Sequence, residues 1–208
     1  MKRRTQRLPV FLLACTLVTV SCNVVPAGLP PRGLAALGLL EGELSPAARH
    51  SQTASIARRL RSRVIEPLPL QVEELARVIV SEAGAVGLRP SLVMAVIEVE
   101  SGARNFSTSP LGARGLMQLL PTTGESVAIA IGAVWDGPES LFDPVLNVRL
   151  GVRYLRDLID RYGDLHTALA AYNWGPGRIA DRVRRGEPMP RGYAERVLAS
   201  YHAASREI

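Results

Sequence analysis

Cysteine is nearly missing from this 208-residue chain: Cys15 and Cys22 both fall in its first 22 residues. No disulfide framework, cysteine-held zinc or cysteine nucleophile can therefore belong to the region that follows. Histidine is equally sparse, and His50, His166 and His202 have no metal-ligand spacing, which argues against a zinc-activated water or a catalytic triad. Aromatic residues make up 5% of the chain, and apart from Phe11 none precedes Phe106. The sequence also lacks a run of roughly 20 apolar residues, the length that spans a bilayer, an internal repeat, and any convincing strand alternation. Apolar residues are plentiful, at 47% against 21% charged, and that balance excludes wholesale disorder. The length suits one folded domain with room for a tail.

A formal charge of +6 invites a nucleic-acid partner, but its distribution removes that reading. Residues 1–22 hold Lys2, Arg3, Arg4 and Arg7 and no acid, residues 23–70 hold six arginines against three acids, and residues 71–208 hold 15 cations against 16 acids. The part long enough to fold is close to neutral, so no nucleic-acid partner is called for. At the amino terminus the basic residues precede an apolar run from Val10 to Val20, which reads as a secretory signal peptide over residues 1–21 because it is short of a bilayer's span, with an uncleaved membrane anchor as the alternative. Val18, Thr19, Val20, Ser21 and Cys22 resemble a bacterial lipobox, with cleavage before a lipid-bearing Cys22, although Thr19 departs from the usual leucine. Cleavage after Ala27 is the competing reading and would release the chain without lipid. Either way the sequence predicts export to the bacterial cell envelope, on the periplasmic side of a membrane if Cys22 is lipidated. Residues 22–70 carry Pro26, Pro30, Pro31, Pro46, Pro67 and Pro69 with an arginine cluster at 58, 59, 61 and 63, and they read as a tether with a local helix near 51–64. Its arginines would face anionic lipid or wall polymer, or simply solvent.

Residues 71–208 read as one mainly α domain. Val72, Leu75, Ala76, Ile79 and Val80 recur at helical spacing before Gly84 and Gly87. Pro90 suits the first turn of a helix running from Ser91 to about Ser101. Further helices are predicted over about 122–130, 147–162, 166–171, 177–185 and 193–204. The 91–101 helix contains two acids in different settings. Three, four and seven residues before Glu100 stand Ile97, Val96 and Val93, whereas the same steps from Glu98 reach Ala95, Met94 and Ser91. Glu100 thus continues an apolar stripe and Glu98 reads as the solvated member of the pair. Desolvation and the negative end of the helix dipole both raise the pKa of a carboxyl placed like Glu100, which suits a general acid. Spacing alone leaves it open between that role and a hydrogen-bonded core residue.

The segment from Ser101 to Gln118 is dense in glycine, small polar residues and amides, as a crevice wall for a polar ligand would be. Farther on, Tyr172, Asn173 and Trp174 stand just before Gly175. Amides with aromatic rings suit a sugar, although most of the rings read as core packing.

Taken in order, Glu100-Ser101, Ser109-Pro110-Leu111-Gly112-Ala113, Gly115-Leu116-Met117-Gln118, Leu141-Phe142-Asp143-Pro144 with Asn147, Gly151, Tyr154 and Leu155, then Ala171-Tyr172-Asn173-Trp174-Gly175, and Tyr193 before Val197-Leu198 resemble the soluble lytic transglycosylase domain. That family is related to goose-type lysozyme and cleaves the glycan strands of bacterial peptidoglycan. The resemblance runs from about Leu75 to Tyr201. It implies a lysozyme-like helical domain with a substrate groove, no metal or organic cofactor, and glycan strands as partner. It further implies Glu100 as the catalytic acid, Ser109 and Tyr172 assisting near the reacting sugar, Met117, Gln118 and Asn173 lining the groove, and Tyr193 hydrogen-bonding near the acid. The implied reaction breaks the β-1,4 bond between N-acetylmuramic acid and N-acetylglucosamine and leaves a 1,6-anhydro end. A lysozyme-type hydrolase on the same scaffold and a non-catalytic peptidoglycan-binding envelope protein are the alternatives. Trp174 stands where the family has a small residue, and Gly102 and Ala103 replace a bulkier stretch. Hydrolysis with two carboxyls would need a second acid roughly 5 to 9.5 Å away; Glu125, Asp136, Glu139 and Asp143 are available, but Asp143 before Pro144 reads as a turn or cap residue.

Overall fold

The computed structural model describes residues 45–63 and 70–205. The signal segment 1–21, Cys22 and most of the stretch read as a tether lie outside the described residues. Eight α-helices occur among them: α1 Pro46–Arg63, α2 Val72–Ala85, α3 Pro90–Ser101, α4 Pro121–Ile131, α5 Pro144–Tyr162, α6 Leu165–Trp174, α7 Pro176–Arg184 and α8 Gly192–Ser205, with a 3-10 turn at Pro138–Phe142 before α5. The mainly α expectation holds, and the extended pairing among these residues is limited to the isolated bridges Thr108–Arg114 and Arg114–Leu119. None of these helices is long and apolar enough to cross a membrane.

Local chemistry sets most of the boundaries. Proline occupies the first turn of α3, α4, α5 and α7, where its missing amide costs nothing. Asp143 caps α5 by accepting from the amides of Val145 and Leu146, and Asp164 caps α6 by accepting from that of Thr167. Gly102, Gly132 and Gly163 end α3, α4 and α5 in the left-handed region. The sequence expectation stopped α6 at Ala171, yet the helix continues through Tyr172 and Asn173 to Trp174, because no breaker intervenes before Gly175.

Helix α3 is the axis of the domain. Leu92, Val93, Met94, Ala95, Val96 and Ile97 are all fully buried, which an amphipathic surface helix would not allow. It packs on α1, α2 and α8, while α5 lies against α2, α4 and α6.

Helix α1 departs from the tether expectation. Ile56, Ala57 and Leu60 are buried in the common core, so the folded body includes residues from Pro46 onward. Their three-and-four spacing forms a narrow apolar stripe on an otherwise polar helix, and burying Leu60 alone is worth about 2 kcal/mol. Glu98 is corrected too: its side chain is 8% exposed and holds an ion pair with Arg59. The spacing placed it off the main stripe of α3, but α1 covers that face.

Candidate active site

Glu100 occupies the last turn of α3, with its carboxyl at the edge of the core. Burial raises its pKa from 4.5 to about 7, against the hydrogen bond from Tyr193 and the charge of Arg196, which both lower it. The Tyr193 hydroxyl donates to Glu100 Oε1 at 2.6 Å. Burial and the nearby Glu100 carboxyl push the Tyr193 phenol well above its ordinary value, so it keeps its proton and remains a donor. The other acid of the helix has the opposite fate. Burial raises the Glu98 pKa, but hydrogen bonds from Arg59 and Ser200 and the charges of Arg59 and Arg63 outweigh it and hold the group below its ordinary value.

A column of tyrosines supports the acid. The rings of Tyr193 and Tyr172 are nearly parallel, 8° apart with centroids at 6.5 Å, and Tyr154 packs on Tyr172 at 5.2 Å. The buried Tyr172 hydroxyl donates to the Met117 carbonyl at 2.8 Å. Met117 was expected to line the groove, but its side chain is fully buried. It enters the space left by Gly151, where an added Cβ would meet its sulfur at 2.4 Å. Its part is played by its backbone carbonyl.

The loop from Gly102 to Leu120 is held to the scaffold by three side chains. Ser101 donates to the carbonyls of Ile97 at 3.2 Å and Leu116 at 2.8 Å. Asn147, fully buried on α5, accepts from the Met117 amide at 2.8 Å and donates to the carbonyls of Arg114 at 3.0 Å and Leu141 at 2.9 Å. Asn105 donates to the Phe142 carbonyl at 2.8 Å. Gly115 has φ of +78°, and an added Cβ would lie 2.3 Å from both Asn147 Nδ2 and the Leu141 carbonyl. Only glycine fits there.

The remaining expected residues lie in this loop and at the end of α6. Ser109 Oγ accepts from the Ala113 amide at 3.1 Å, closing the tight turn that carries exposed Leu111. Gln118 sits at φ of +47° and donates to the carbonyls of Ser107 and Gly115, each at 2.9 Å. Asn173 is exposed, and Trp174, at 42% exposure, lies beneath the Arg182 guanidinium. The structure thus joins Glu100, Tyr193, Tyr172 and the Met117 backbone in one contact chain, while no hydrogen bond among the described residues links Ser109, Gln118 or Asn173 to Glu100. Sequence reading quoted Asn147 and Tyr154 without a role and missed the Arg59 contact altogether. The candidate second acids are engaged elsewhere or exposed: Glu139 pairs with Arg114 and Asp143 caps α5, whereas Glu125 and Asp136 are exposed.

Comparison with known proteins points the same way. A family model described as the transglycosylase SLT domain matches residues 77–188. The soluble lytic murein transglycosylase of Salmonella typhimurium is 32% identical over 165 residues, covering 72% of this chain and 25% of that protein. Membrane-bound lytic murein transglycosylase C of Actinobacillus pleuropneumoniae is 29% identical over 140 residues, covering 58% of this chain and 38% of that protein. The chain spans less than half the length of the curated relatives it matches. Among solved structures, an inactive glutamate-to-glutamine mutant of the lytic transglycosylase Slt from Pseudomonas aeruginosa superposes with a TM-score of 0.57 at 28% identity, over 62% of this chain and 24% of that one.

Proposed function

Because this chain belongs to the SLT transglycosylase family, we propose that it is a lytic transglycosylase of bacterial peptidoglycan with Glu100 as its one acid–base group. The observation that carries this reading is the buried Glu100 carboxyl with the Tyr193 hydroxyl fixed on it, burial raising its pKa to about 7. Glu98, the other acid of the same helix, is tied into an ion pair and is not available as a partner. A glutamate whose change to glutamine leaves an inactive mutant in the Pseudomonas relative is consistent with this assignment.

The chemistry follows from the proton positions. Tyr193 donates to Oε1, so the carboxylic proton resides on Oε2 and is free for transfer. Glu100 gives that proton to the glycosidic oxygen between N-acetylmuramic acid and N-acetylglucosamine as the bond to the anomeric carbon breaks. The substrate's own N-acetyl oxygen stabilises the positive charge left on that carbon. The new carboxylate is steadied by the Tyr193 hydroxyl and the charge of Arg196, and it then takes the proton of the muramoyl C6 hydroxyl as that oxygen attacks the anomeric carbon. The acid is regenerated, the product carries a 1,6-anhydro end, and no water is consumed. Ser109, Gln118 and Asn173 serve as groove-side polar contacts. Tyr172 holds the loop through the Met117 carbonyl. The workplace is the cell envelope, with Cys22 as the lipid attachment point; the amino-terminal sequence supports this, and one relative is membrane-bound by name.

Mass spectrometry of digested peptidoglycan tests the reaction. Anhydro products are one water lighter than hydrolytic ones and resist borohydride reduction, so reducing ends would assign a hydrolase instead. Glu100→Gln is expected to lower the rate by at least about a hundredfold; wall clearance at the parent's rate would remove Glu100 from the mechanism.

A further inference from the structure

Behind Glu100 lies a polar cluster unlike the surface ion pairs. Arg59 of α1 and Glu98 of α3 have side-chain exposures of 10% and 8%, against about half for Arg153 and Asp157. Arg59 Nε donates to Glu98 Oε1 and Nη2 donates to Oε2, both at 2.5 Å. The same Nη2 reaches the Ser200 carbonyl at 2.8 Å and the Ser200 hydroxyl at 3.0 Å, and that hydroxyl donates to Glu98. One guanidinium therefore ties three helices together.

Stability alone is a poor reason for this arrangement. The desolvation of a buried ion pair offsets most of its attraction, and here Arg59 Nη1 is left buried without a partner. Its value is geometric. Ser200 and Tyr193 are two turns apart on one face of α8, and Glu98 shares the last turns of α3 with Glu100. The crossing that Arg59 holds at Ser200 is the crossing that brings Tyr193 to Glu100. The family model matches residues 77–188, which leaves Arg59, Tyr193 and Ser200 all outside it.

We infer that Arg59 is a positioning residue for the catalytic acid, a role that presupposes Glu100 as that acid: by clamping Glu98 to Ser200 it fixes α3 on α8 and so sets the reach of the Tyr193 hydroxyl to Glu100. The groups facing Glu100 are Tyr193 and Arg196 of α8 and Tyr172 of α6, with Tyr154 of α5 behind the last. Those facing Glu98 are Arg59 and Arg63 of α1 and Ser200 of α8.

The test uses the full chain and measures kcat, KM and their pH dependence on purified glycan strands. Arg59→Met with Glu98→Met removes one charge of each sign, leaving no unpaired carboxylate near Glu100. Tyr193→Phe alone is expected to lower kcat roughly tenfold and to move the basic limb of the profile upward by about half a pH unit, because the carboxylate loses its donor. The Arg59/Glu98 replacement is expected to reproduce both effects with KM unchanged, and adding Tyr193→Phe to it is expected to cost less than about twofold more. Ser200→Ala, which alters no charge, gives a smaller shift in the same direction and serves if the double replacement fails to fold. A parent-like kcat and basic limb in the Arg59/Glu98 replacement, or a Tyr193→Phe penalty of the same factor with and without the clamp, overturns the inference. An active Glu100→Gln overturns the underlying assignment of the acid; an inactive one with additive clamp variants overturns only the clamp.

Discussion

Glu98 and Glu100 leave the same helix two residues apart, and their surroundings push their pKa values in opposite directions. The difference comes from what each carboxyl meets. Glu98 meets a guanidinium and a hydroxyl that repay its desolvation, whereas Glu100 meets one phenol and a more distant arginine. For Glu100 this implies a stability cost that is present only when it ionises. Its folded pKa of about 7 lies above the ordinary 4.5, so the native state is at full stability below about pH 4.5. Stability is lost as the pH rises through 7, where the unfolded chain has already released the proton. Glu100→Gln, neutral at every pH and still able to accept from Tyr193, should therefore be more stable than the parent by up to about 3 kcal/mol at pH 8. The gain should vanish below about pH 4.5. Denaturant unfolding at several pH values checks this, and a constant offset across the range would contradict it. The burial that keeps a proton on Glu100 near neutral pH is the same burial that costs stability when it ionises.

At the scale of elements, the loop from Gly102 to Leu120 has little regular structure of its own and borrows rigidity from α3 and α5. Asn147 is the main link. It meets one amide and two carbonyls that are otherwise enclosed, and leaving buried polar groups unpaired costs about 1–3 kcal/mol each. Asn147→Leu should therefore destabilise the domain by about 3 kcal/mol or more. Because the Met117 amide is one of those groups and the Met117 carbonyl receives Tyr172, activity should fall further than the folded fraction does. Circular dichroism melts beside rate measurements separate the two losses. Gly115 and Gly151 belong to the same device, since each removes a Cβ that would strike Asn147 or Met117.

For the molecule as a whole, α1 decides where the working domain begins. A chain starting at residue 70 would expose the surface that Ile56, Ala57 and Leu60 cover and leave Glu98 facing Arg59 no longer. Compared with a chain starting at residue 45, it should lose about 4 kcal/mol or more from the two large apolar side chains alone; equal thermal midpoints for the two would argue that α1 is dispensable. Much of the fold was legible beforehand. Proline at helix starts, the Asp143 cap and the glycine stops are local signals, readable because the groups they satisfy lie within a few residues. The apolar stripe that ends in Glu100 is local as well, and the ordered motifs marked the family. The structure alone decided which surfaces meet. Tyr193 is 93 residues from Glu100, Arg59 is 39 from Glu98, and Ser200 is 102 from Glu98. Periodicity assigns a residue to a helix face but does not name the helix that covers it. For that reason Glu98 read as solvated, while composition made α1 a tether and the family resemblance put Met117 in the groove wall, and neither of those says what covers a side chain. The sequence by itself determined the helices and the apolar stripe that ends in Glu100, because those depend on neighbours along the chain; the burial that raises the Glu100 pKa, and the contacts of Tyr193 with Glu100 and of Arg59 with Glu98, depend on helix packing and exist only in the tertiary structure.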